Sequence, residues 1–119
     1  SGGIIAAVYP KMEFTVGDDV VRIVRVCTYR SIPWGHLMAF VNFDSYDRRF
    51  MGVVGRKEMV LESQSGEKGE ALIAGPFDWW NAGNGCVAIE PEDTYVTLRY
   101  DIYGESGSIQ IPLPEGMAP

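Results

Sequence analysis

His36 is the single histidine of the chain, and Cys27 and Cys86 are its only thiols. Any Ser-His-Asp or Cys-His site would have to be built around that one imidazole. It follows Trp34-Gly35 just ahead of an apolar run, and no nucleophile-elbow pattern occurs in the chain. The expected role is therefore a loop histidine packing against Trp34. Imidazole titrates at physiological pH, yet a lone histidine makes a weak switch. The two cysteines match neither a metal knuckle nor a Cys-x-x-Cys pair. Two buried free thiols acting as small hydrophobes are expected, with a single bridge as the alternative.

Paired carboxylates could serve a glycosidase if they faced each other across a cleft. Asp18-Asp19, Glu67 with Glu70, and Glu90-Pro91-Glu92-Asp93 all fall in turn-like segments, where acids are normally solvated. Asp44 and Asp47, with the Ser45 hydroxyl between them, approach a hard-cation site of the calcium kind. Calcium takes six to eight oxygens, and this stretch supplies few of them. Calcium is the only ion the residues suggest, and no other cofactor is expected. The glycines lack a following Lys-Ser/Thr, so no phosphate-binding loop is present.

The most unusual segment is Gly75-Pro76-Phe77-Asp78-Trp79-Trp80-Asn81-Ala82-Gly83-Asn84-Gly85. If it is extended, Trp79 and Trp80 cannot both point into one core. Trp79, Trp80, Asn81 and Asn84 are thus candidates for stacking on a sugar or anchoring a protein partner. The alternative is that both tryptophans cap the open end of the fold. Seven of the ten basic residues are arginine, the cation favoured at interfaces because its planar fork pairs bidentately. Arg22 and Arg25, inside an apolar run, are the candidate anchors of a homodimer.

These residues must be positioned by strands. The chain has 119 residues, 46% of them hydrophobic and 12% aromatic, enough for one self-sufficient core. Thr94 to Tyr103 alternates, with Val96, Leu98, Tyr100 and Ile102 on one side and Tyr95, Thr97, Arg99 and Asp101 on the other. Gly104-Glu105-Ser106-Gly107 should turn it into Ser108–Ile111. Leu37 to Phe43 alternates as well. Val20 to Tyr29 is almost continuously apolar, which predicts a strand covered on both faces. Further apolar runs lie at 4–9, 12–16, 49–54, 58–62, 71–74 and 86–89, and the pattern as a whole is read as about nine short strands. Helix is credible only as a turn near 44–48 or 78–81. An antiparallel β-sandwich of jelly-roll-like, Greek-key type is predicted. It is read as a single domain over 1–119, with a linker-like start at 1–3 and an extended tail at 112–119, expected to be part of a longer protein. The net charge of -6 argues against a nucleic-acid partner. No apolar run approaches the ~20 residues of a membrane-spanning helix.

Two stretches resemble the C-terminal protrusion domain of nodavirus-type capsid proteins. They are Asn42-Phe43 followed by Phe50 and Gly52-Val53, and Ile109-Gln110-Ile111-Pro112-Leu113-Pro114-Glu115-Gly116. The gap between the phenylalanines is longer here, and the second stretch lies at the end of the chain. Where the family has Trp-Asp before Asn-Phe, this chain has Phe40-Val41. The resemblance implies a non-enzymatic domain on the virion surface, joined to the capsid shell, pairing into spikes and contacting a host receptor or glycan. The alternative reading is a carbohydrate- or protein-binding β-sandwich module of a larger secreted or surface protein.

Overall fold

In the strand Leu37–Ser45, buried and half-buried residues alternate without exception. Leu37, Ala39, Val41 and Phe43 go inward and Met38, Phe40, Asn42 and Asp44 outward. Side chains of period two leave only one way to bury that set. The computed structural model describes residues 3–16, 19–45, 59–77, 80–102 and 104–116, and for 16, 19, 70–77, 80–82 and 102 only the backbone course. All regular structure among them is strand. In chain order these are β1 (Ile4–Val8), β2 (Met12–Val16), β3 (Asp19–Arg30), β4 (Leu37–Ser45), β5 (Met59–Ser63), β6 (Lys68–Phe77), β7 (Trp80–Ala88), β8 (Tyr95–Ile102) and β9 (Glu105–Pro112).

Every pairing is antiparallel, in the order β1-β3-β4-β7-β6-β5-β8-β9, with β2 continuing the β1 edge along β3. β6 belongs to both sheets. Its first residues, 68–70, pair with β5, and from Ala71 onward it pairs with β7. Gly69 sits at that corner, where a Cβ would run into the Cys86 carbonyl. The hairpins β5–β6–β7 are flanked by β4 on one side and β8 on the other, which is the connectivity of two interlocked Greek keys. The predicted antiparallel β-sandwich with Greek-key connections is the architecture found.

Between the sheets, Val21, Ile23 and Val26 of β3, the inward set of β4, and Val87 of β7 meet Met59, Leu61, Val96, Leu98 and Ile111. Each such side chain contributes roughly 1.5–3 kcal/mol on leaving water. Phe14 of β2 stacks on Tyr100 of β8, with centroids 5.0 Å apart, so the outer strand of one sheet is closed against the other.

Three sequence expectations change. Val20–Tyr29 is not covered on both faces, since Val20 and Val24 are exposed. A bulge lies between Ile23 and Arg25, opposite Phe43 and Asn42, and one extra residue reverses which parity faces the core. Val21 and Ile23 therefore point inward, and so do Val26 and Thr28. Both parities carry apolar residues for this reason. Gly83-Asn84-Gly85, read as a turn, lies inside β7, with Gly83 opposite Phe43 and Gly85 opposite Val41, so large residues pair with absent side chains. Glu105-Ser106-Gly107, also read as turn, is already strand, because Ile102 pairs directly with Glu105 and the hairpin closes at Gly104, φ 78°. The 112–119 tail is tied down where it is described. Leu113 is buried and donates its N–H to the Thr94 carbonyl at 2.9 Å. The expected strand at 49–54 lies outside the described residues.

Candidate functional site

The predicted site residues divide between the two ends and one face of the sandwich. Trp79 and Asp47 lie outside the described residues. Trp80 and Asn81 open β7 at the end far from the β3–β4 loop, because Asn81 pairs with Ser45 while Ala88 pairs with Met38. Asn84 lies mid-strand in register with Asn42.

Arg22, Arg25 and Asp44 come together on the outer face of β3 and β4. Arg22 Nε donates to Asp44 Oδ1 at 2.8 Å, and Arg25 Nε donates to Asn42 Oδ1 at 3.1 Å. Both contacts join directly neighbouring strands, as the register Arg22↔Asp44 and Arg25↔Asn42 requires. The arginines expected as dimer anchors therefore hold partners within their own sheet. Asp44, expected as an ion ligand, holds a guanidinium. No cluster of three or more His, Cys, Asp or Glu side chains able to hold a metal occurs among the described residues.

The thiols lie on the same outer face and are unbridged. Cys27 and Cys86 both pair with Phe40, from opposite sides of β4. Two strand spacings put their Cα atoms about 9–10 Å apart, beyond the ~7 Å a disulfide can span. Burial pushes the Cys27 thiol up, against the lowering effect of the Arg25 charge. Tyr29 reaches the same cluster, and its phenol is raised by burial and by its hydrogen bond to Cys86. A covered thiol pushed up in this way, as Cys27 is, is a poor nucleophile, whereas Cys86 is only half-buried.

Asp93 was expected in a solvated turn, and it is buried instead. Its Oδ2 accepts from Ser65 Oγ at 2.8 Å and from the Glu90 N–H at 2.9 Å. Gln64 Oε1 accepts from the Thr94 N–H at 2.7 Å. These bonds tie the 64–67 turn to the crossing from β7 to β8, so the Asp93 carboxylate is committed to structure.

The feature missed in the sequence is the β3–β4 loop, 31–36. Four hydrogen bonds hold it. The Ser31 N–H donates to the His36 carbonyl at 2.9 Å, and the Gly35 N–H to the Ser31 carbonyl at 2.7 Å. Arg30 Nη1 donates to the Gly35 carbonyl at 2.9 Å, and the His36 N–H to Ser31 Oγ at 3.2 Å. Gly35 takes φ 71°, a left-handed conformation costly for other residues. On this frame Ile32 and Trp34 stand in solvent, 68% and 78% exposed. Trp34 does not pack down, and His36 is exposed beside it. A groove of about 560 Å³ adjoins the loop, lined by Arg30, His36, Met38, Glu67, Glu90 and Pro91. The pattern Ser-x-x-x-Gly around Ile-Pro-Trp was the available signal.

Comparison with protein-family models, with curated proteins and with solved structures finds no match to this chain.

Proposed function

We propose that this chain is a non-enzymatic attachment domain that grips a protein partner through the Ile32–His36 loop. The observation that carries the reading is the rigid presentation of Trp34. A large aromatic left in water gains free energy once a partner covers it, and a loop already ordered by four hydrogen bonds loses little entropy on docking. The adjoining groove places Arg30 and His36 beside Glu67 and Glu90, a mixed-charge rim suited to setting orientation. The buried Cys27 thiol and the structurally engaged Asp93 support a non-enzymatic role.

The narrower form, a capsid surface protrusion, rests on the resemblance of residues 42–53 and 109–116. Self-pairing belongs to that form, and Ile4 on the outermost strand, 58% exposed, is the apolar surface offered to it. Saturable binding of the labelled protein to a panel of intact cells tests the attachment reading. Trp34→Ala should lower that binding at least about tenfold, the range of an aromatic hot spot, with an unchanged melting midpoint. Protease treatment of the cells should abolish the binding. Full binding by Trp34→Ala would refute the reading.

A further inference from the structure

The groove beside the Trp34 loop combines an apolar floor with two carboxylate-bearing residues. Met38 of β4 and Ala88 of β7 stand in register along the floor, and the next pairing, the Ile89 N–H to the Leu37 carbonyl at 3.0 Å, closes it. Pro91 adds to the apolar lining. Glu67 comes from the β5–β6 turn and Glu90 from the crossing to β8.

One chain of hydrogen bonds fixes the backbone of both glutamates. Ser63 holds Glu67 twice: its N–H donates to the Glu67 carbonyl at 2.8 Å, and its Oγ accepts the Glu67 N–H at 2.9 Å. Asp93 holds Glu90 in the same way, its N–H donating to the Glu90 carbonyl at 3.0 Å while Oδ2 accepts the Glu90 N–H at 2.9 Å. Ser65 Oγ joins the two halves, 3.1 Å from Ser63 Oγ and donating to Asp93 Oδ2 at 2.8 Å. The two glutamate carboxylates take no part in this chain. Both residues are exposed, and neither side chain has a hydrogen-bond or ion-pair partner among the described residues.

The surroundings are short of positive charge. Arg30 is the one lysine or arginine in the groove lining, and its Nη1 donates to the Gly35 carbonyl of its own loop. Lys68 stands opposite Glu62 on the outer face of the other sheet. Glu92, exposed two residues beyond Glu90, adds a further negative charge. Residues 1–2 and 117–119, which adjoin this end in the sequence, have no ionisable side chain. Ser45 and Met59, the residues flanking 46–58, stand at the other end of the sandwich. Carboxylates without a counter-charge beside an apolar floor are complementary to a cation on an aliphatic stem, and walls ordered in advance lose little freedom on docking.

We propose that this groove takes a lysine or arginine side chain of a protein partner. The methylene stem lies along Met38, Ala88 and Pro91, the charged head sits at Glu67 and Glu90, and an apolar neighbour in the same segment covers Trp34. The site rests on the attachment reading and adds to it the charge of the partner at the contact.

The test is titration of the intact chain with hexapeptides centred on Leu-Lys or Leu-Arg, with Leu-Gln and Leu-Glu versions as controls, read by amide and indole chemical shifts. At least one cationic peptide should shift the amides of His36, Met38, Glu67 and Glu90 saturably, with Kd on the order of 0.1–10 mM for so small a contact. The Leu-Gln version should bind at least about tenfold more weakly, and the Leu-Glu version more weakly again. Raising salt from about 0.1 M to about 1 M should weaken the cationic peptides most. Glu67→Gln with Glu90→Gln should melt like the parent and bind the Leu-Lys and Leu-Gln peptides within about twofold of each other. The Trp34 indole reports the attachment reading separately. Shifts at Glu67 and Glu90 without the indole would keep the cation site and remove Trp34 from the contact. Indole shifts of equal strength with all four peptides would keep Trp34 and overturn the cation site. It would also be overturned by no saturable shift with either cationic peptide, or by a double variant that keeps the preference.

Discussion

Replacing Asp93 tests the account of how the loop end is held together. The carboxylate is 3% exposed, and one oxygen, Oδ2, takes both the Ser65 hydroxyl and the Glu90 N–H. In Asp93→Ala both donors lose their acceptor in a site water reaches poorly. Hydrogen bonds to charged groups are worth roughly 1.5–3 kcal/mol each, and the two share an atom, so a loss of about 3 kcal/mol is expected rather than the full sum. Asp93→Asn can place its carbonyl oxygen where Oδ2 sits and keep both bonds without the charge, at a cost of about 1 kcal/mol. For 119 residues the unfolding entropy converts 1 kcal/mol to about 4 °C, so the alanine variant should melt ~12 °C lower and the asparagine variant ~4 °C lower. Scanning calorimetry with urea titration gives both numbers. If Asp93→Ala melts within ~2 °C of the parent, or the two variants melt together, the carboxylate is not the acceptor that joins this turn to the crossing.

Gly69→Ala should lower stability by about 2–4 kcal/mol in urea unfolding, because the added Cβ meets the Cys86 backbone, which cannot swing aside as a side chain would. Cys27 and Tyr29 both keep their protons to higher pH in the folded state than their ordinary values of 9.0 and 10.0. The unfolded chain releases those protons first, so this contribution is whole below about pH 9 and is lost as pH rises through the folded values. Urea midpoints followed from pH 8 to 11 should fall, and Cys27→Ala should flatten the first part of that fall. Mass spectrometry after mild oxidation should show no bridge between Cys27 and Cys86. Sedimentation from micromolar to near-millimolar protein should reveal a weak dimer that Ile4→Lys removes. A strictly monomeric parent would refute self-pairing.

Where local alternation alone decided an element, the sequence was enough. β4 and β8 show their buried faces in the order of their residues, because one sheet face is wet and side chains simply alternate. The all-β class, the absence of helix among the described residues and the β8–β9 hairpin follow from that pattern together with turn residues at its ends. Leu37 through Phe43 and Val96 with Leu98 could be assigned to a core without knowing what they would meet.

Pairing partners decided the rest, and a partner's register is not written in the strand it faces. The bulge at Val24 exists because β4 supplies one residue fewer across from it, and it turned a run that looked doubly buried into two halves of opposite parity. Gly83-Asn84-Gly85 reads as a turn until Phe43 and Val41 fill the space its missing side chains leave. Arg22 and Asp44 stand 2.8 Å apart only because β3 and β4 align as they do, a pairing that neither strand shows by itself. Asp93 looks solvated in a run of acids, yet the 64–67 turn closes over it from distant sequence. Trp34, expected to be packed against by His36, instead stands in solvent on a loop held by its own hydrogen bonds. Exposure is set by what folds against a residue, and Tyr9 and Trp34 stay largely in solvent, 68% and 78% exposed.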